Sequence, residues 1–107
     1  MKSKVETLKM SYGVPSEELD RIVWCIKKNK KISDIILFGS RAKGNFQAGS
    51  DIDIDVVGNG LTLDYLLHIK IEIEDIELPY KIDIIDYGKI ENNELISHIK
   101  RVGKHLH

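Results

Sequence analysis

Cysteine is all but missing from this chain: Cys25 stands alone among 107 residues, so neither an internal disulfide nor a cysteine-based zinc site can form. Between Trp24 and Ile26, in a helical pattern, it reads as a buried structural thiol. An excess of either charge is also lacking. With 16 basic and 17 acidic residues the net charge is -1, which leaves no global field to gather a nucleic-acid backbone. No apolar run approaches the ~18 residues that a membrane span needs. The opening Met1-Lys2-Ser3-Lys4-Val5-Glu6 lacks the apolar core of a signal peptide, so the chain is expected in the cytoplasm. Metal-ligand spacing is missing among His68, His98, His105 and His107, which are expected mainly at the surface.

What is present describes a globular protein: 42% of residues are apolar and 31% charged. At this length residues 1–107 make one domain, with room for a modest core and none for a second. Ser3 to Tyr12 reads as a short helix, with Val5, Leu8 and Tyr12 on one stripe and Gly13 ending it. Val14-Pro15-Ser16-Glu17-Glu18 opens a second helix, with Ser16 as N-cap and two acids favoured by the dipole. It carries Leu19, Ile22, Val23 and Ile26 at helical spacing to about Asn29. Lys27, Lys28, Lys30 and Lys31 then form a solvated closing turn.

Two short apolar runs follow, Ile35 to Phe38 and Asp51 to Val57, both β-branched or aromatic and bounded by turn residues, and both read as buried strands. Between them Ser40 to Lys43 predicts a one-turn helix. Leu61 to Leu78 is ambiguous: Ile69-Lys70-Ile71-Glu72-Ile73-Glu74 alternates like a strand, yet Leu63, Leu66, Ile69, Ile73 and Ile76 keep helical spacing. Eighteen residues is long for a strand in so small a domain, so a helix is expected. Lys81 to Asp86 is the third strand, and Asn92 or Asn93 caps a final helix through Leu95, Ile96, Ile99 and Val102.

Chemistry concentrates between the first two strands. Side chains alternate along a strand, so Asp51 and Asp53 point to the same side, where two carboxylates repel unless a cation lies between them. Magnesium, a hard ion taking oxygen ligands from carboxylates and phosphates, suits that geometry. Gly39 admits a close phosphate, the Ser40 hydroxyl and neighbouring amides can donate to it, and Arg41 and Lys43 add positive charge. The combination reads as a metal-nucleotide site. Asp55, ~13 Å beyond Asp51 along a strand, cannot share an ion with it. It is expected to pair with Lys81 or Arg41, or else to extend the acidic site.

Leu37-Phe38-Gly39-Ser40-Arg41-Ala42-Lys43-Gly44, a polar spacer, and then Asp51-Ile52-Asp53-Ile54 resemble the signature of the polymerase-β-like nucleotidyltransferases, specifically the minimal nucleotidyltransferase (MNT) branch. The likeness runs from about Tyr12 to Leu106. It implies an α/β (α+β) fold, a small mixed three-stranded sheet packed with helices. It also implies a third carboxylate on the following strand, where Lys81-Ile82-Asp83-Ile84-Ile85-Asp86-Tyr87 matches at Asp83; Asp86 is the rival, facing the other way. On this resemblance Asp51, Asp53 and Asp83 are the catalytic and metal-binding residues, for two magnesium ions. Gly39, Ser40 and Arg41 are the nucleotide-binding ones, with ATP as substrate. Asp55 departs from the family, where that position is more often small or apolar, as does His107, where relatives often end in tyrosine.

The implied reaction is attack of a hydroxyl on the α-phosphorus of ATP, with pyrophosphate leaving. Stand-alone relatives of this size are often partnered with a small helical HEPN protein and move AMP onto its tyrosine, so the chain resembles the MntA-type antitoxins of HEPN/MNT pairs. The rival reading is a catalytically silent antitoxin that neutralises its partner by binding alone; retention of three carboxylates weighs against it. An antibiotic nucleotidyltransferase ranks lower, because the usual extra domain is absent. An exposed apolar patch is expected too, serving a homo-oligomer or a heteromeric interface.

Overall fold

The computed structural model describes residues 9–106. Strands β1 (Met10–Ser11) and β2 (Val14–Pro15) form a small antiparallel pair, followed by α1 (Ser16–Lys27), β3 (Ile32–Phe38), α2 (Gly39–Lys43) and β4 (Ile52–Gly58). Next come α3 (Leu63–Glu74), β5 (Ile82–Asp86), a 3-10 turn at Tyr87–Lys89, α4 (Asn93–Val102) and β6 (Lys104–His105). The main sheet has four strands in the order β5-β4-β3-β6. β3 runs antiparallel to β4 and β6, while β4 and β5 are parallel, joined by α3. This is the mixed α/β architecture that the sequence implies.

Alternation along the strands sorts the sheet into two faces. On one, Ile35 and Leu37 of β3, Ile52, Ile54 and Val56 of β4, and Ile84 of β5 pack against Leu19, Ile22 and Ile26 of α1 and Ile69 and Ile73 of α3. Each fully buried isoleucine or leucine there contributes about 1.5–3 kcal/mol. On the other face Ile36 and Phe38 meet Ile99 of α4, with Leu95 and Ile85 beside them. Directly paired residues share a face, and Phe38 pairs with Asp53, Ile36 with Asp55, and Asp53 with Asp83. The acidic residues of β4 therefore lie on the α4 side, away from the larger core.

The ambiguous segment is helical for a visible reason. Ile71, which a strand would have buried beside Ile69 and Ile73, is 59% exposed. The Thr62 side chain accepts the Tyr65 N–H and starts the helix. Asn92 caps α4, accepting from the Glu94 and Leu95 amides. Cys25 is buried, as expected.

Three expectations are corrected. The sheet has a fourth strand, because Lys104–His105 adds to β3, reinforced by Leu106 N–H donating to Ile35 O at 2.8 Å and by His105 Nδ1 2.8 Å from Asp34 Oδ2. A two-residue strand carries no alternation to read. The helix expected over Ser3 to Tyr12 is not formed where the chain is described: Met10–Ser11 is a strand and Tyr12 has a φ of 55°, its earlier part lying outside the described residues. Ser16 does not cap α1 through its side chain; its hydroxyl lies 2.6 Å from that of Ser11 instead. Among the described residues no helix is long and apolar enough to cross a membrane.

Candidate active site

Asp51 stands just before β4, Asp53 on it, and Asp83 beside it on the parallel β5, in direct register with Asp53. An oxygen from each carboxylate lies within 4.8 Å of the others. That is the spacing of oxygens around a divalent ion, and carboxylate oxygens completed by water and substrate phosphates are the donors that magnesium takes. Burial pushes the Asp53 carboxyl up, and the charges of Asp83 and then Asp51 push it further; His98 and Lys81 oppose the shift. Bringing like charges together at a half-buried position costs free energy that a cation offsets. Asp86 stays out of the cluster, since alternation turns it to the other face, where it is buried and accepts the Gly88 N–H at 3.0 Å.

Gly39 opens α2 directly after Phe38, with a φ of 76°. A Cβ there would collide with Asp53 Oδ2, so both backbone conformation and the carboxylate demand glycine. Its N–H donates to Nε2 of His98 on α4 at 3.0 Å, and the His98 ring meets Phe38 edge-on, with centroids 6.3 Å apart. The Gly39 amide is thus directed at a side chain. Ser40 follows, half-buried, in the first turn of α2.

Arg41 is placed differently from the charge expected beside the phosphates. It is only 1% exposed, with its guanidinium between the rings of Phe46 at 5.1 Å and Tyr80 at 5.3 Å. Its nitrogens donate to Tyr12 O at 2.9 Å, Ser50 O at 2.8 and 3.1 Å, and Ala48 O at 3.3 Å. A planar fork with five donors satisfies several buried carbonyls at once. Arg41 thereby ties the β1–β2 turn to the loop that delivers Asp51.

Asp55 is also corrected, since neither expected partner reaches it. Arg41 is committed elsewhere, and the register sets Asp55 opposite Ile85, well along β5 from Lys81. Asp55 is fully buried and, among the described residues, neither carboxylate oxygen has a hydrogen-bond partner. Burial, then the charges of Asp86 and Asp34, push its carboxyl up to about 7.

His98 is the residue at this site that sequence reasoning missed. Its signal was helical phase: Leu95, His98, Ile99 and Val102 fall at i, i+3, i+4 and i+7, so His98 shares the stripe that faces the sheet.

A comparison with curated protein sequences finds no match. Among solved structures, a toxin-antitoxin crystal structure with AMP-PNP superposes with a TM-score of 0.69 at 24% identity, over 82% of this chain and 71% of that one. A complex of tri-AMPylated Shewanella oneidensis HEPN toxin with MNT antitoxin gives 0.66 at 21% identity, over 86% and 71%. The toxin-antitoxin MntA-HepT gives 0.65 at 21%, again over 86% and 71%. These likenesses carry the fold. Membership follows from the sequence profile of the family described as "Polymerase beta, Nucleotidyltransferase", which matches residues 20–107: the chain belongs to the polymerase-β-type nucleotidyltransferases.

Proposed function

We propose that this protein transfers AMP from ATP onto a hydroxyl, that of a tyrosine on a small helical HEPN-type partner, and so acts as an antitoxin. The observation that carries the reading is the set of three carboxylate oxygens within 4.8 Å of one another, beside a glycine at which a Cβ would overlap the Asp53 carboxylate. Solved complexes of similar fold support it, one holding AMP-PNP and another a tri-AMPylated HEPN toxin.

In this reading Asp51 and Asp53 hold magnesium and Asp83 completes the metal site. Magnesium held there would supply positive charge to the phosphates and so offset the charge that develops as pyrophosphate leaves. Asp83, on the neighbouring strand, stands where it orients the attacking hydroxyl and draws off its proton. The hydroxyl oxygen bonds to the α-phosphorus as the bond to pyrophosphate breaks. Ser40 contributes a hydroxyl donor to the phosphates, while Arg41 acts at one remove by fixing the loop before Asp51.

The test is mass spectrometry of a candidate HEPN partner after incubation with this protein, ATP and magnesium. AMP on a partner tyrosine is the expected result. An unmodified partner that is nevertheless inhibited would replace transfer with neutralisation by binding alone.

A further inference from the structure

We propose that His98 is a positioning residue of this nucleotide site, acting through Gly39 on Asp53; the inference rests on the nucleotidyl-transfer reading. Nε2 of His98 accepts the Gly39 N–H at 3.0 Å. Gly39 holds a left-handed φ of 76°, and its Cα is so close to Asp53 that a Cβ would overlap Oδ2. The contacts form a chain from α4 to β4: His98 fixes the Gly39 peptide, and Gly39 fixes the room left for the Asp53 carboxylate.

That chain links the C-terminal helix to the acidic cluster. α4 reaches the sheet through Ile99, with Leu95 beside it, and packs against α2 as well. The hydrogen bond from Gly39 is the specific one. Its loss would let the turn relax and leave Asp53 in the assembled position for a smaller fraction of the time, and apparent affinity falls by that fraction. Saturating magnesium and nucleotide would restore the assembled site, so the effect belongs in binding and KM rather than in kcat.

Two substitutions separate this role from packing. His98→Phe keeps an aromatic ring against Phe38 and removes the acceptor; His98→Gln loses the ring but supplies a carbonyl acceptor. Affinity for a non-hydrolysable ATP analogue with magnesium should weaken roughly tenfold in His98→Phe, the worth of one hydrogen bond, with kcat within about threefold of wild type. His98→Gln should bind within about threefold of wild type. Exchange of the Gly39 amide proton, followed by NMR, gives a readout independent of nucleotide: slow in wild type and His98→Gln, faster by roughly tenfold in His98→Phe. Equal affinities in wild type and His98→Phe, or His98→Gln binding as poorly as His98→Phe, overturn the inference while the transfer reading stands. Wild type that binds no magnesium-nucleotide overturns the transfer reading itself.

Discussion

Asp53 and Asp83 sit directly opposite one another on parallel strands β4 and β5, yet in the proposed reaction they do different work. Asp53, seated against Gly39, holds metal and phosphates with Asp51; Asp83, one strand outward, faces the attacking hydroxyl. Asp83→Asn should keep the fold and much of the nucleotide affinity, because Asp51, Asp53 and Ser40 remain. Transfer should nonetheless drop by about 10²-fold or more. The pair of measurements is calorimetric nucleotide binding and the rate of AMP addition to the partner. Parallel losses in both would mean that Asp83 only binds.

Gly39→Ala should abolish magnesium-supported nucleotide binding. The added methyl meets Asp53 Oδ2, and the left-handed backbone costs a non-glycine residue roughly 1–2 kcal/mol. Melting should fall modestly, while calorimetric titration with magnesium and nucleotide should show no saturable heat. Wild-type affinity in a folded Gly39→Ala protein would show that the Asp53 carboxylate can leave its present position without consequence.

These sites were not equally legible from the chain. Asp51 and Asp53 could be placed on one side because a strand's period is two and the sheet keeps that period; Asp83 came from the family resemblance, whose pattern puts a third carboxylate on the following strand, and alternation served only to set Asp86 aside. Arg41 was misplaced because composition reveals a charge but not the carbonyls of Tyr12, Ala48 and Ser50 that surround it. Asp55 was expected to be paired since a buried lone carboxylate is unfavourable, and nothing local reveals that its neighbours are apolar or acidic. Strand β6 escaped because its pairing rests on contacts with Ile35 and Asp34, far away in sequence.

Asp55 makes stability depend on pH in a defined direction. Its folded-state carboxyl lies at about 7 against an ordinary 3.8, so the folded protein holds a proton that the unfolded chain releases. The stability associated with that proton is complete below about pH 4, declines as pH rises from there to about 7, and levels off above. Asp55→Asn removes the dependence and should stabilise the protein at pH 8 by as much as roughly 4 kcal/mol, with the two proteins converging near pH 4. Urea denaturation of the two from pH 4 to 8 reads it directly, and a constant gap would show that Asp55 does not change protonation on folding.

Arg41 offers a test of structure against charge. If its charge served the triphosphate, lysine would replace it at moderate loss; the geometry says otherwise. The guanidinium lies between Phe46 and Tyr80 and serves three carbonyls, whereas an ammonium has neither the plane to stack nor the fork to reach them together. Arg41→Lys should leave at least one part-buried carbonyl without a donor, costing about 1–3 kcal/mol, which lowers the melting temperature by roughly 5–15 °C in a domain of this size. Magnesium-nucleotide affinity, measured well below that melting point, should change less than in Gly39→Ala, because the loop before Asp51 loosens without any ligand contact being removed. A variant that melts like wild type but loses nucleotide binding would move Arg41 out of the scaffold and onto the phosphates.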